Sequence, residues 1–517
     1  MFETANRITR AIQVMVEGVR MIGRLRFLLL GLYLAAVPSA HAQPASMTKA
    51  LESARSGALS TKKRTAIDRY VAAEMRRQRI PGVAIGVYRA GHQIYAKGFG
   101  QADVEWQVPM TSDTRMQTGS LGKQFVATAI LRLAEQGKVD IDASIRIYFP
   151  EAPQALQPVT VAHLLSHTSG LGAYDEPDMV KPGGAFDLRR DFTEDQLAKA
   201  ITALPTTFAP GGEWQYNNGN YVLLGILIHR VTGQFYGDYL RTAFFAPLGM
   251  QSTRIISDTD IIARRASGYE IKGGVLQNQA WVSPTFNATA DGTIYTTVAD
   301  MARWDRALSG NDLLKGASFK RMYTPFVLAD GKPNASGYGF GWMMRTTNGH
   351  RQISHNGAWQ GFSSAMIRFP DDNLSVVVFV NLDSGHARPD LIGRVVAGLV
   401  LPALMPAKAT ALPDAPDRFR KIRAFLSRTL AGEDMTNEFV PGSPYKRDLA
   451  DIAELTAALP QGWQTAPMVL VRQQSQGAGG RYSYRVGPVG NTVLLTIALS
   501  PSGRVAGYGI APDPDNR

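Results

Sequence analysis

Hydrophobic and polar positions divide the chain into stretches of different period. Between Ala66 and Arg77, apolar residues fall at Ile67, Tyr70, Val71 and Met75, the spacing of one helix face. Strand patterns follow: Gly82-Val83-Ala84-Ile85-Gly86-Val87-Tyr88, a turn containing Gly91, and Gln93 to Phe99 together read as a hairpin. A long, mostly helical middle comes next, through Ser120 to Gln136, Val159 to Leu165 and Asn220 to Thr232, with Gly- and Pro-rich loops between Gly170 and Asp187. β-rich stretches return at Gly339 to Thr346, Gln352 to His355, Ser363 to Phe369 and Leu374 to Asn381, and Leu391 to Val400 reads as a closing helix. Strands at both ends with helices between predict one sheet completed by distant segments. The helical middle is then an inserted subdomain, with a cleft between the two parts.

Pro402, Pro406, Pro413 and Pro416 interrupt both periodicities, because proline continues neither a helix nor a central strand. Residues 402–416 are therefore expected to be a linker. Beyond it, helical patterns at Asp417 to Leu430 and Arg447 to Leu459 precede alternating stretches at Met468 to Gln473, Tyr482 to Gly487, Val493 to Leu499 and Val505 to Ile510. That order predicts a small α+β accessory domain over 417–517, behind a main domain over 63–401. A chain of 517 residues fits two domains better than one core.

The N-terminus has its own pattern. Arg20, Arg24 and Arg26 precede the apolar run Phe27 to Val37, and Ala40-His41-Ala42 offers small residues before Gln43. This reads as a secretory leader over 1–42, with translation starting at Met1 or at Met21, followed by a polar spacer over 43–62. The apolar run is too short to span a bilayer, which needs about 20 residues. A mitochondrial presequence is the competing reading, and Glu3, Glu17 and the late apolar block oppose it. A periplasmic or secreted location follows, with no stable membrane span after cleavage.

Export makes the lack of cysteine informative: there is no disulfide, no thiolate nucleophile and no Cys-ligated metal. The formal charge of +12 includes a leader with five Arg against two Glu, so its removal leaves +9. The remaining basic residues are dispersed rather than interleaved with aromatics, which argues against nucleic-acid binding.

Chemistry enters at Ser120-Leu121-Gly122-Lys123. Residues three apart on a helix are neighbours, so the Lys123 amine can reach the Ser120 hydroxyl, and a desolvated lysine is a base able to activate a serine. Ser-x-x-Lys also occurs at Ser46, Ser60 and Ser443. Only Ser120 opens a long helical pattern, whereas Pro444 follows Ser443 and the other two lie in the polar spacer region.

Two other groupings stand out. Tyr216-Asn217-Asn218 is the only Tyr-x-Asn in the chain. A phenol near a lysine is expected to ionise more easily and to shuttle a proton, and Asn218 to donate to a substrate amide carbonyl. Taken by itself, the clustered Asn and Gly219 read more simply as a turn. His355-Asn356-Gly357 falls at the end of a predicted strand, where glycine permits close approach of the backbone. Lys181-Pro182-Gly183 and Lys272-Gly273-Gly274 are basic rivals for that place, one carrying a proline and the other reading as a hairpin turn.

In this order the residues resemble the serine β-lactamase and penicillin-binding-protein superfamily, particularly its class C β-lactamase, D,D-carboxypeptidase and esterase branch. The resemblance covers about residues 63 to 400. It also rests on Leu164-Leu165-Ser166-His167-Thr168-Ser169-Gly170-Leu171, Tyr221-Val222-Leu223-Leu224-Gly225, Pro247-Leu248-Gly249-Met250, Asp300-Met301-Ala302-Arg303-Trp304 and Gly357 to Phe362. It implies an α/β (α+β) fold: an antiparallel sheet flanked by helices, with a helical insertion. It further implies Ser120 as acylated nucleophile, Lys123 as proton acceptor or relay and Tyr216 as shared acid and base. Which of those two is the general base stays open. Asn218 would orient the substrate, His355 and Gly357 would belong to the substrate-binding set, and the backbone N–H groups of Ser120 and Ala358 would form an oxyanion hole. His167 is expected to be structural.

The implied activity is an exported serine hydrolase, using neither metal nor cofactor, that forms an acyl-enzyme with a small-molecule or peptide amide or ester. A D,D-peptidase, a β-lactamase and an esterase all fit. A penicillin-binding sensor or pseudoenzyme, acting through the C-terminal domain on a partner, is the alternative from another class. Many relatives carry lysine where this chain has His355, and a small residue where it has Asn217. A histidine mostly neutral at pH 7 lowers the expected dependence on a substrate carboxylate.

Overall fold

The structure, a computed structural model, describes residues 58–310, 312–383, 385–405, 410–440, 459–476, 479–488 and 492–513. The expected leader, most of the spacer and all but the last residue of the expected helix over 447–459 lie outside them. Helix α1 (Thr61–Gln78) begins at Ser60, whose hydroxyl accepts from the Lys63 backbone N–H at 3.4 Å, and ends at Arg79 in a left-handed conformation (φ 55°). The Ser60 instance of Ser-x-x-Lys is thus a helix cap, and Lys63 Nζ donates to the Val400 carbonyl at 2.7 Å.

Strands β1 (Gly82–Arg89) and β2 (His92–Asp103) form the expected hairpin, with the short β3 (Val108–Pro109) beyond β2. Strands β4 (Met343–Thr347), β5 (His350–Trp359), β6 (Phe362–Phe369) and β7 (Leu374–Val380) complete one antiparallel sheet of seven, in the order β3-β2-β1-β7-β6-β5-β4. Its seam joins segments nearly 300 residues apart: β1 pairs with β7 from Val83 opposite Val380 to Arg89 opposite Leu374.

Both faces of that seam are buried, which explains the unbroken apolar run of Val376 to Val380. Val83, Ile85 and Val87 join Val376, Val378 and Val380 in a cluster with α1 residues Ile67 and Val71 and with Ile392 and Val396 of a late helix, Pro389–Val400. The alternate residues Ala84, Tyr88, Val377 and Phe379 face the larger cluster, which holds Phe125, Leu223 and Trp304 from the helical middle. Each such buried side chain contributes about 1.5–3 kcal/mol.

In the middle, the turn Gly119–Gly122 leads into α2 (Lys123–Glu135); α3 (Val161–Ser166) follows, and α4 (Asn218–Thr232) packs against both. The strand expected from Gly339 begins only at Met343, and the strand carrying His355 continues past it to Trp359. Further along the chain, α5 (Pro416–Leu430) precedes strands β8 (Met468–Gln476), β9 (Gly479–Val486), β10 (Val493–Leu499) and β11 (Val505–Pro512), which form a separate four-stranded antiparallel sheet. It has its own core of Ile422, Phe425, Leu426, Trp463, Tyr484 and Ile497. Among the described residues no helix is long and apolar enough to cross a membrane.

Candidate active site

Ser120 sits in the tight turn just ahead of α2, half-buried, with Lys123 at the first position of the helix and fully buried. Lys123 Nζ donates to Ser120 Oγ at 3.1 Å, to Asn218 Oδ1 at 2.7 Å and to the backbone carbonyl of Asp291. All three protons of the ammonium are thereby satisfied. Burial is the main influence on this amine and lowers its pKa to about 8, against the opposing pull of the Asp291 and Asp175 carboxylates.

Asn218 opens α4, and the residues before it are held from α3. His167 ends α3 in a left-handed conformation (φ 60°); its carbonyl accepts from Gln215 N–H at 3.0 Å and its Nδ1 from Asn217 N–H at 3.2 Å. Its ring lies 4.3 Å from that of Tyr216. The Asn217 side chain donates to the carbonyls of Leu171 at 2.7 Å and Gly172 at 3.1 Å. The Tyr216 ring is thus pinned from both flanking residues, with Lys123 Nζ 5.1 Å from its centroid.

The Tyr216 hydroxyl is buried and closes no hydrogen bond of full geometry. Burial raises its pKa, as do the Asp291 and Asp175 charges, while Ser120 is the neighbour that eases ionisation. This corrects the expectation that proximity to a lysine makes the phenol more acidic: the desolvation cost of a phenolate dominates. Asn218 departs from expectation as well. Its Nδ2 already donates to Asp175 Oδ2 at 2.6 Å rather than standing free for a substrate carbonyl.

Strand β5 brings the third grouping against the Ser120 turn. Its pairing with β4 ends at Ser354 opposite Met343, so the edge from Asn356 to Trp359 is left open by β4. Two glycines permit the approach. A Cβ on Gly357 would collide with the Thr118 carbonyl oxygen, and one on Gly119 (φ 53°) with the Ala358 nitrogen. Ser364 Oγ donates to the Thr118 carbonyl at 2.6 Å, tying the turn to β6 as well.

His355 is 3 % exposed. Its Nδ1 bonds the Asn356 carbonyl at 2.5 Å, which requires Nδ1 to carry the proton, and its Nε2 therefore accepts from Tyr338 Oη at 2.8 Å. Burial, with the Lys123 charge secondary, pushes its pKa down to about 3. The ring is neutral throughout the range in which an ordinary histidine titrates.

A cleft of about 270 Å³ opens on Ser120, lined by Trp214, Tyr216, Tyr338, Met343 and the stretch His355 to Ala358. No ionised side chain is in that lining. The rival lysines are elsewhere: Lys181 is exposed and paired with Asp178, and Lys272 is exposed and closes a hairpin. Sequence reasoning missed Asp291, Asp175, Tyr338 and Trp214. Asp291 acts through a backbone carbonyl and the others through contacts between distant segments, for which no local pattern exists.

A family model described as beta-lactamase matches residues 67–399. The chain belongs to the beta-lactamase family. Within it, the chain is 30% identical over 309 residues to penicillin-binding protein 4* of Bacillus subtilis, a match covering 56% of this chain and 66% of that protein. Among solved structures it resembles the D-amino acid amidase of Ochrobactrum anthropi SV3, with TM-score 0.56 and 25% identity over 66% of this chain and 99% of the other. The octameric penicillin-binding protein homologue of Pyrococcus abyssi shares the fold, with TM-score 0.58 and 21% identity, covering 84% of this chain and 96% of that one. Proteins of this beta-lactamase family are generally serine hydrolases.

Proposed function

We propose that this family member hydrolyses amides or esters through an acyl-enzyme at Ser120, with Lys123 as the base and a preference for substrates that lack a carboxylate at the His355 position. The observation that carries the reading is the buried lysine bonded to Ser120 Oγ with its pKa lowered to about 8. In the neutral form Lys123 takes the Ser120 proton as Oγ bonds to the substrate carbonyl carbon. The backbone N–H groups of Ser120 and Ala358 receive the oxyanion. The proton passes to the leaving amine or alcohol, assisted by Tyr216, which stays protonated in the resting enzyme. Water then adds to the acyl carbon, Oγ leaves and recovers a proton, and the acid departs. Export through the leader, and a division into a hydrolase domain over 63–401, a linker over 402–416 and an accessory domain over 417–517, belong to the same proposal.

Two features support the substrate preference: the aromatic lining of the cleft, and a neutral, internally bonded His355 in place of a cation. Turnover of matched nitrophenyl esters tests it. The neutral ester is expected to outrun its carboxylate-bearing twin, and His355→Lys to shift the ratio of their kcat/KM values toward the carboxylate by about tenfold, the order expected for a new ion pair at a partly desolvated site. Equal turnover of the twins in wild type, unmoved by the substitution, contradicts the preference. An effect of His355 titration between pH 6 and 8.5 is not expected, because its pKa lies near 3.

Gly357→Ala is expected to lower kcat/KM about 100-fold. The added methyl must push β5 off the Thr118 and Leu121 backbone, displacing the Ala358 N–H, and one oxyanion donor is worth about 3 kcal/mol. A loss confined to KM speaks against a transition-state role for that edge.

A further inference from the structure

The buried carboxylate of Asp291 has no part in the reaction steps above, yet the chain places it next to the base. Its own backbone carbonyl receives Lys123 Nζ. The following residue, Gly292, packs so closely on the Ser120 turn that a Cβ there would lie 3.0 Å from the Ser120 nitrogen. Asp291 is 6 % exposed, and its two carboxylate oxygens differ. Oδ2 accepts from the Tyr174 hydroxyl at 2.9 Å, whereas Oδ1 is buried and, among the described residues, has no hydrogen-bond partner. A buried carboxylate with one bare oxygen is unfavourable, and packing alone does not call for it.

The surroundings of Lys123 supply a reason. The three acceptors of its ammonium group, Ser120 Oγ, Asn218 Oδ1 and the Asp291 carbonyl, are all uncharged. The rings of Tyr216 and Tyr221 lie 5.1 and 5.4 Å from Nζ, and His167 and His355 complete the titratable groups that face it. Around pH 8, burial leaves all four of those side chains uncharged. Two carboxylates remain, and Asp291 acts on Lys123 more strongly than Asp175, which is exposed to water. Burial pushes the amine down, and the Asp291 charge is the first influence that opposes it. A carboxylate bonded directly to Nζ would go further and hold the proton on. Tyr174 opposes that contact: its ring is packed against Phe186 at 5.4 Å and stacked on Phe286 at 6.1 Å, and its hydroxyl engages Oδ2.

We propose that Asp291 and Tyr174 are a positioning pair that tunes Lys123: the carboxylate supplies negative charge beside the ammonium, and the tyrosine hydroxyl keeps that charge from bonding to it. This rests on the reading of Lys123 as the base and adds how its basicity is set. The two residues act in opposite directions. Without the charge, the amine gives up its proton more easily. Without the hydroxyl, the carboxylate is free to turn to Nζ, and the amine keeps its proton longer.

The test is the rate at which a fluorophosphonate labels Ser120, read by intact mass between pH 5 and 10, for wild type, Asp291→Asn and Tyr174→Phe, with a thermal melt of each. The wild-type rate is expected to rise through about pH 8. Asp291→Asn is expected to move that rise lower by at least about one pH unit, the scale of losing an opposite charge beside a buried group, and Tyr174→Phe to move it higher by at least about half a unit as an ion pair forms. Loss of a merely structural contact gives no reason for shifts of opposite sense. A wild-type rise near pH 8 that stays in place in both variants, or moves the same way in both, overturns the pair and leaves Lys123 as the base. A wild-type rate without that rise overturns the base reading and the pair with it. Should Asp291→Asn not fold, Tyr174→Phe decides: a rise that stays in place or moves lower counts against the pair.

Discussion

Ser120→Ala is expected to reduce ester or amide turnover by roughly 10⁴-fold or more, because removing a covalent nucleophile leaves only binding and oxyanion stabilisation. The fold should survive. Ser120 is half-buried at the start of α2, and the turn around it is held by main-chain packing of Gly119 and Gly357 and by the bond from Ser364 to the Thr118 carbonyl. Lys123 loses one of three acceptors, a cost of about 1 kcal/mol. Steady-state kinetics beside a thermal melt separates the two effects. A variant that melts normally and retains a tenth of the activity means that the nucleophile is elsewhere.

Lys123→Met has the second-largest expected effect, a loss of about 10²–10⁴-fold, the usual contribution of a positioned base. Its signature is in the pH profile. With a folded pKa of about 8, wild-type kcat/KM should rise about tenfold per pH unit below that value and level off above it. The His355 pKa near 3 and the raised Tyr216 pKa put no other limb of the site between pH 5 and 9. In the Lys123→Met variant the rise through pH 8 should vanish. A profile that instead rises near pH 6.5 in wild type would point to a histidine.

Stability carries the same signal with a definite sign. Lys123 has a folded pKa depressed below its ordinary 10.5, so the unfolded chain binds the proton more tightly. The protein is therefore penalised below about pH 8, by on the order of 3 kcal/mol, and the penalty is relieved as pH rises from about 8 to 10.5. Methionine, uncharged and of similar length, should raise the urea midpoint at pH 7 and remove this dependence. Lys123→Met that is less stable than wild type at pH 7 contradicts a costly buried ammonium.

The centre of the sheet was legible in the sequence because β1, β6 and β7 are buried on both faces. Gly82 to Tyr88 and Val376 to Val380 are continuous apolar runs, the pattern of a sheet covered on both faces, although nothing local says that Val83 pairs with Val380. The site was legible as three short groupings because each sits at an element's end: Ser120 ahead of α2, Asn218 at the start of α4, Gly357 on an open strand edge. What sequence did not reveal is tertiary. Tyr216 becomes a weaker acid, not a stronger one, because the fold buries its hydroxyl. Asn218 is used up by Asp175, 43 residues away along the chain, and Lys123 takes a backbone carbonyl 168 residues away. His167, which the sequence offered only as a structural residue, lies against the Tyr216 ring, with bonds to both of its neighbours.

The most direct test of the central claim is the mass of the protein after exposure to a fluorophosphonate at pH 8, with peptide mapping of the modified residue and Ser120→Ala alongside. One adduct per chain, on Ser120, absent from Ser120→Ala and formed at least 100-fold more slowly by Lys123→Met, is the expected result. An unmodified wild-type chain, or an adduct that persists in Ser120→Ala, would contradict it.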